Sequence, residues 1–408
     1  MAGSGSGRPV RSQAGPSGSA YMLRKALPLL LAVLSATVQV PAQASVNGPE
    51  ERPGTELEGG TGQRPAEMPE ERTGKRPGES GQGAGREPRE RERGRRAEQD
   101  REGRAEEPDG KPVRVAFYNT ENLFDTVPSP LTDDAAFTPH GANRWTGGRY
   151  RAKLRNIATV IDSLGAAVVG LAEVENEAVV RDLVMALGAD YNYIHRTTSD
   201  PRGIDLALLY QGDRFIPREV RQVPSHSSRE LLCVRGDLLG TEVHIVVCHL
   251  PAPYNSGAGR ERAAAALYGL TRELTARDPG ARIIVMGDLN ANPDQRTVRR
   301  TLHATDRLPV PAGALYAPLG ALYRQGFGSY AYRDRRNLFD NILMSPGLLA
   351  GDGIRYRERC GIFVRPWMLV PDGSRSAGYP LRTYSGGRYT GGFSDHLPVW
   401  AEFGHVHE

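Results

Sequence analysis

The sequence predicts an α/β protein in which two mixed β-sheets pack face to face with helices outside. Three observations lead there. Short apolar, strand-like runs recur from residue 113 to the end of the chain. Helical periods separate some of these runs and a tight hairpin separates others, so the strands cannot all be parallel. One run, AAVVGLA (166–172), is apolar throughout, as a strand covered on both faces is. Two facing sheets with helices outside would bury every such run.

The 408-residue chain has a net charge of +4 and is 39% hydrophobic, but these averages blend unlike parts. Residues 26–40 (ALPLLLAVLSATVQV) follow Arg24 and Lys25 and precede Ala42-Gln43-Ala44, the charged, apolar and cleavage regions of a secretory signal. With Pro28, Ser35 and Gln39 inside it, the run is short for a membrane span. The Gly- and Ser-rich stretch ahead of Met22 is foreign to a signal peptide and points to Met22 as the start. Residues 1–44 are therefore read as a signal region, without a cysteine that would carry a lipid, and the expected location is secreted or periplasmic.

Residues 45–112 contain no aromatic residue, and REPRERERGRR (86–96) alternates charges with nothing apolar to bury. Such a stretch cannot offset its conformational entropy and reads as a disordered, solvated linker. Its interspersed glutamates argue against a nucleic-acid-binding tail. Residues 113–408 suffice for one large domain and are only mildly basic, which neither demands nor excludes a phosphate-bearing partner.

Within that domain RVAFYN (114–119) alternates as a strand, and RAKLRNIATVIDSL (151–164) has helical period. The buried strand 166–172 follows, then a helix over EAVVRDLVMAL (177–187) and a strand over DLALLY (205–210). LLCVRGDLL (231–239) and TEVHIVVCHL (241–250) read as a hairpin closed at Gly240-Thr241, glycine first as a type II′ turn prefers. That register sets Cys233 opposite Cys248 at a hydrogen-bonded pair, an uncomfortable place for a bridge, so buried thiols are expected. A helix over 259–276 and strands at ARIIVMG (281–287), LFDNILMS (338–345) and LPVWAEF (397–403) complete the set. IFVRPWMLV (362–370) reads as an ordinary strand, with an apolar loop as the alternative.

Polar residues gather at the ends of these strands. They are Asn119 and Glu121 after the first, Glu173 after the second, Asp205 opening the fourth and His249 ending a hairpin arm. Asp288 and Asn290 end the next strand, Asp340 interrupts LFDNILMS, and Asp395–His396 open the last strand in GGFSDHLPVW. Each alone is an ordinary turn former or packed histidine. Carboxylates placed repeatedly beside apolar strands need partners, however.

The chemistry they suit is metal-assisted phosphoester hydrolysis. Glu121, Glu173 and Asp395 offer hard oxygen ligands of the kind Mg²⁺ or Mn²⁺ takes alongside water and phosphate. Asp205 for His249 and Asp340 for His396 would act as acids that orient an imidazole. Asp288 and Asn290, two apart on an extended segment, can hold an attacking water and a phosphate oxygen. His396 sits at a strand mouth, so its removal is expected to cost activity with little loss of fold. The Gly391-Gly392 lead is expected to let the backbone approach the substrate.

NTENLFD, GLAEVEN, RGIDLALLY, CHLPAP, GDLNANP, LFDNILMS and FSDHLPV, in this order, resemble the endonuclease/exonuclease/phosphatase superfamily, from about Val113 to Phe403. The WT…RYRAKLRNIATVI and PRGIDLAL segments, with the signal region, resemble a secreted bacterial branch of it. The resemblance implies a four-layer α/β sandwich and a divalent metal at Glu173, with Glu121 and Asp395 completing the pocket. It implies phosphate contact for Asn119, a water- and phosphate-orienting pair at Asp288 and Asn290, and active-site histidines at His249 and His396. Asp340 then backs His396 and Asp205 backs His249.

Of the functions this allows, a secreted nuclease comes first and a monomer with no membrane span is expected. The alternative is a phosphodiesterase or phosphatase on a lipid or small-molecule headgroup, sphingomyelinase-like or of inositol-phosphate type. A catalytically dead binding module is least supported, because every expected position is filled. The Arg-bearing stretches TVRRTL (297–302) and YRDRRN (332–337) lean towards a polyanion.

Overall fold

The computed structural model describes residues 111–252 and 257–405. The signal region and all of the linker but its last two residues lie outside them.

In chain order the elements are β1 (Val113–Leu123), α1 (Gly147–Leu164), β2 (Val168–Val174), α2 (Glu177–Ala186), β3 (Asn192–Arg196), β4 (Asp205–Tyr210) and β5 (Phe215–Val223). Next come β6 (Leu231–Leu238), β7 (Thr241–His249), α3 (Gly257–Arg277), β8 (Ile283–Asp288), β9 (Ala304–Thr305), β10 (Leu315–Tyr316) and α4 (Gly320–Arg324). The rest are β11 (Tyr330–Tyr332), β12 (Arg335–Asn337), β13 (Asp340–Met344), β14 (Ile354–Ile362), β15 (Tyr384–Ser385), β16 (Arg388–Tyr389) and β17 (Val399–His405).

Six strands form one sheet in the order β14-β17-β1-β2-β4-β3, and seven form the other in the order β5-β6-β7-β8-β13-β10-β9. Both are mixed: β1 runs parallel to β2 and antiparallel to β17, and β7 runs parallel to β8 and antiparallel to β6.

Side-chain alternation divides the interior into three cores. Val115 and Phe117 of β1 point between the sheets, where they join Ile245, Met286 and Ile342 of the second sheet. Their neighbours Ala116 and Tyr118 point outward, under Leu154, Ile157 and Ile161 of α1 and Val180 of α2. On the far side Val246, Ile283 and Val285 meet Ala264, Leu267 and Leu270 of α3. Three cores between four layers are the expected sandwich. Gly170 of β2 shows how close the sheets come, because a Cβ there would lie 2.6 Å from Met286 Sδ.

Local signals set the helices that carry the site. Thr146 caps α1, its side chain accepting from the Arg149 amide, and Gly165 ends it in the left-handed region at φ 60°. Asn176 caps α2 by accepting from the Val179 amide at 2.9 Å.

Three expectations need correction. The hairpin turns on Leu239-Gly240, at φ 50° and 76°, so that Leu238 faces Thr241 and Cys233 faces Val246 rather than Cys248. Leucine accepts the first left-handed position of a type I′ turn, which moves the register. All three cysteines are free thiols, Cys233 and Cys248 buried. Residues 363–370 form a loop rather than a strand: β14 stops at Ile362 and a 3₁₀ turn covers Pro366–Met368. Finally, Gly391-Gly392 packs on protein. A Cβ at Gly392 would sit 2.1 Å from the Leu381 carbonyl oxygen and 2.3 Å from that of Arg382.

Candidate active site

The second sheet lines up three of the predicted residues. His249 pairs with Asp288 across β7–β8, and Asp288 pairs with Asp340 across β8–β13, so all three sit abreast at neighbouring strand ends. The first sheet brings its residues by breaking register. Between Asn119↔Ala172 and Leu123↔Val174, three residues of β1 face only Glu173, which also bulges out of its pairing with β4. Such bulges re-aim side chains. Glu121, Asn122, Glu173 and Asn290 all take positive φ, 47° to 63°, a strained state for residues with a Cβ.

Hydrogen bonds tie the two sheets together. Asn119 Nδ2 donates to Asp288 Oδ2 at 3.1 Å, and the Asn290 amide donates to Asp288 Oδ1 at 2.8 Å. Asn290 Nδ2 donates to the Leu250 carbonyl at 2.9 Å. The Asn122 amide donates to Glu173 Oε2 at 3.0 Å, leaving Oε1 facing His249 Nε2 at 3.8 Å.

The histidines flank Asp288, whose Oδ2 lies 3.5 Å from His249 Nε2 and 3.9 Å from His396 Nε2. Their environments push them apart. Burial alone would lower His396, but Asp340, then Asp395 and Asp288, outweigh it and hold the imidazole well above its ordinary value. Burial, and after it Arg229 and Arg202, hold His249 well below its own. Asp288 is raised to about 7, first by burial and then by Asp340 and Glu173, against the charge of His396. A cation, an uncharged imidazole and a carboxyl raised to about 7 thus share one cleft.

Asp340 stands behind His396, with Oδ2 2.7 Å from Nδ1 and a hydrogen bond of 2.5 Å from Ser329 Oγ. Ser394 fixes the other side, donating to the Asn119 carbonyl and accepting from the His396 amide. His396 and Asp340 are 6% and 0% exposed, so the pair is interior. The expectation that His396 could be removed with little effect on the fold does not survive this burial.

Asp205 does not stand behind His249. Its Oδ2 lies 2.9 Å from His195 Nε2 and its Oδ1 accepts the Thr198 amide, so it holds β3 and the following loop instead. It opens β4, beside the bulge at Glu173, and the register shift there turns it away from the cleft.

The three expected metal ligands differ in how free they are. Both oxygens of Glu121 are engaged, Oε1 by Arg382 Nε at 3.2 Å and Oε2 by the Thr383 amide at 2.7 Å, with Lys153 Nζ 3.9 Å from Oε2. Asp395 Oδ2 accepts from Arg382 Nη2 at 2.5 Å. Glu173 Oε1 and Asp395 Oδ1 are the less committed atoms. A second oxygen-rich group, Asp288, Asp340 and His396, has ligand atoms within 4.8 Å of one another, but Asp340 Oδ2 already serves two partners there.

The donor set fits a small divalent cation. Glu121, Glu173, Asp288, Asp340 and Asp395, when ionised, outnumber Lys153, Arg382 and charged His396 by two negative charges. Oxygen donors of this kind suit a hard ion, with Glu173 and Asp395 best placed to hold it.

Arg382, Lys153, Arg202, Arg229 and Tyr330 went unnoticed in the sequence. Only Lys153 had a legible signal. It lies on the buried stripe of α1 with Ile157, Val160, Ile161 and Leu164, where a cation must have a partner. That partner is the loop before β17: Lys153 Nζ donates to Thr383 Oγ1 and to the Phe393 carbonyl. Burial lowers its pKa to about 8.

A model of the Endonuclease/Exonuclease/phosphatase family matches residues 114–405, and the chain belongs to that family. It is accordingly a metal-dependent hydrolase of phosphoester bonds. No curated protein matches the sequence. Similar solved structures include a humanized TDP2 of D. rerio, with a TM-score of 0.47 and 15% identity, covering 72% of this chain and 98% of that one. A family protein of Bacteroides thetaiotaomicron has a TM-score of 0.48 and 17% identity over 73% of this chain and 100% of its own. A mannosyl-6-phosphatase of the same organism has 0.45 and 17% over 71% and 99%.

Proposed function

We propose that this family member is a secreted nuclease that hydrolyses phosphodiester bonds of single-stranded or locally opened nucleic acid, with Mg²⁺ or Mn²⁺ held chiefly by Glu173 and Asp395. The observation that carries the reading is the aromatic and cationic hairpin beside the catalytic residues. Tyr330, Tyr332 and Phe339 line the same cleft, of ≈ 460 Å³, as His249, Asp288 and His396. Tyr330 stacks on Phe339 with ring centres 5.3 Å apart and lies 4.9 Å from the His396 ring. Tyr332 is half exposed with Arg333 over its face. Asn292 holds the hairpin's far end, donating to Asn337 Oδ1 and accepting the Leu338 amide. Bases stack on such rings without regard to sequence, while arginines follow the backbone charge.

The residues divide the chemistry as follows. Asn119 and Asn290 hold Asp288 in place, and Asp288, near neutrality, takes the proton of the attacking water. The water oxygen bonds to phosphorus as the ester P–O bond breaks, and the leaving oxygen takes a proton from bulk water, to which Asp288 returns its own. His396, kept charged by Asp340, donates to a non-bridging oxygen as its negative charge grows. His249, uncharged, accepts or donates one hydrogen bond from the opposite side of Asp288. A bound divalent cation supplies charge neutralisation at the phosphoryl group. Export is supported by the signal pattern of residues 24–44.

A lipid headgroup is the second reading, favoured by an apolar groove of ≈ 500 Å³ that includes Phe327, Ile362, Val364 and Leu369. The test is a panel: residues 45–408 with Mg²⁺ or Mn²⁺ against single- and double-stranded DNA, RNA, sphingomyelin and inositol phosphates. Nuclease action predicts cleavage of single strands, and Tyr332→Ala should lower kcat/KM on them roughly tenfold through lost stacking. Turnover of sphingomyelin or inositol phosphates with intact oligonucleotides would overturn the nuclease reading.

A further inference from the structure

One wall of the cleft takes no part in the chemistry above. Arg229, just before β6, is 4% exposed; its Nε donates to Asp200 Oδ2 at 2.8 Å and its Nη1 to the Leu250 carbonyl at 3.1 Å. Arg202 uses the same acid, with its amide 3.0 Å and its Nε 3.4 Å from Asp200 Oδ1. One carboxylate therefore serves two guanidinium groups, and one positive charge is left over. Arg229 Nη2 and both Nη atoms of Arg202 donate to no acceptor among the described residues, and both side chains line the cleft.

A guanidinium cannot shed its proton to ease burial, so a buried one requires acceptors. Holding the loop at 200–203 against Leu250 accounts for one arginine and one carboxylate. It does not account for the second arginine or for the free nitrogens. Position argues for a ligand. The Leu250 carbonyl that receives Arg229 also receives Asn290 Nδ2, which sets the guanidinium at a fixed offset from the water-holding residues. The arginines act on His249, whereas the tyrosine lies on His396. The anion-seeking wall and the aromatic wall thus flank the reacting centre from different sides.

We propose that Arg202 and Arg229, braced by Asp200, form a second anion subsite that binds a phosphate of the substrate other than the one hydrolysed. The inference rests on the phosphoesterase reading of the cleft and narrows it to substrates carrying at least two phosphates. A planar guanidinium fork matches phosphate oxygens in pairs, and two forks around one carboxylate give a rigid receptor. The second phosphate can be the terminal group of a strand end or the next one along a continuing strand.

Calorimetry with thymidine 3′,5′-bisphosphate and thymidine 3′-monophosphate tests the subsite directly. The bisphosphate should bind roughly ten- to hundredfold more tightly, the scale of charge-assisted hydrogen bonds. Arg202→Met and Arg229→Met should each shrink that ratio to within about threefold. Arg202 is partly exposed, so its variant keeps the test alive if Arg229→Met does not fold. In the turnover arm, kcat/KM is compared for p-nitrophenyl thymidine 3′-phosphate with a free 5′-hydroxyl, with a 5′-phosphate, and extended by a 5′ nucleotide. Preference for the 5′-phosphate alone supports the subsite in its strand-end form, and preference for both charged substrates supports it in its continuing-strand form. Equal wild-type affinity for the two nucleotides, or a ratio untouched in both variants, overturns the subsite. Hydrolysis of the 5′-phosphorylated p-nitrophenyl thymidine 3′-phosphate separates the two readings. If it occurs without any bisphosphate preference, the enzyme reading stands and the subsite falls. If it fails while the arginine-dependent preference is present, the reverse holds.

Discussion

His396→Ala should damage both stability and turnover, and a second substitution should repair only the first. Asp340 is fully buried, its Oδ2 serves His396 Nδ1 and Ser329 Oγ, and its Oδ1 has no hydrogen-bond partner among the described residues. Removing the imidazolium strands a buried carboxylate, which costs ~3–5 kcal/mol. In a domain of this size that lowers Tm by roughly 6–15 °C. The charged donor to the phosphoryl oxygen is lost as well, which lowers kcat by ~10²–10³. Asp340→Asn keeps the shape and removes the charge, so kcat falls in the same direction. In the double variant the fully buried carboxylate behind His396 is gone as well, so Tm should climb back towards that of Asp340→Asn while kcat stays near that of His396→Ala. The two losses in ln kcat should fall well short of additivity, as for residues acting as one unit. Scanning calorimetry and steady-state hydrolysis of bis-p-nitrophenyl phosphate give both readouts. Full kcat in His396→Ala with a lowered Tm would make the pair structural. Strictly additive losses in kcat would refute the dyad.

Glu173→Gln should abolish hydrolysis and weaken divalent-cation binding by calorimetry, and EDTA should silence the intact protein; near-normal activity in EDTA would sink the mechanism. Arg382→Met removes the cation bridging Glu121 and Asp395, so Mg²⁺ should bind about tenfold more tightly. Unchanged or weaker Mg²⁺ affinity in that variant would mean that Arg382 does not compete with the metal. Deleting residues 45–108, which carry no aromatic side chain, should leave Tm and turnover nearly unchanged. A fall of several degrees would show that the segment packs on the domain.

The layers were legible because the central strands are. VVGLA and IIVMG are apolar on both faces, as strands must be when a second sheet covers one side and a helix the other. The longer strands that escaped notice are edge strands: β3, β5 and β14. FIPREVRQV and IRYRERCGI carry charges because one flank meets water, and Pro217 is tolerable only where no neighbour needs its missing N–H. The site divides similarly. Residues at ends of central strands, such as His249, Asp288 and Asp340, announce themselves by breaking an apolar run. Arg382, Arg202 and Arg229 lie in or beside loops where an arginine is unremarkable, and only the fold reveals what they face. Asp205 misled because it does break an apolar run, yet its partner is the neighbouring edge strand.

The cations also explain how so many carboxylates can share one cleft. Glu121, Asp395, Glu173, Asp288 and Asp340 would repel one another and take up protons if burial were unopposed. Lys153 and Arg382 enter from α1 and the loop before β17, so the helix layer contributes electrostatics to a site built at sheet ends. Asn156 reinforces this link by donating to the carbonyls of Gly391 and Gly392, and Lys153 does the same at Phe393. The strained backbone at Glu121, Asn122, Glu173 and Asn290 costs ~1–3 kcal/mol per residue, and rigid surroundings must hold it. Two packed sheets with a helix layer on each side are such surroundings. Lys153, Arg382 and charged His396 leave the five carboxylates, when ionised, two negative charges in excess, of which Arg202 and Arg229 with their shared Asp200 offset one in the same cleft. On this account the fold does more than display the catalytic residues: it sets how much negative charge remains for the metal to neutralise.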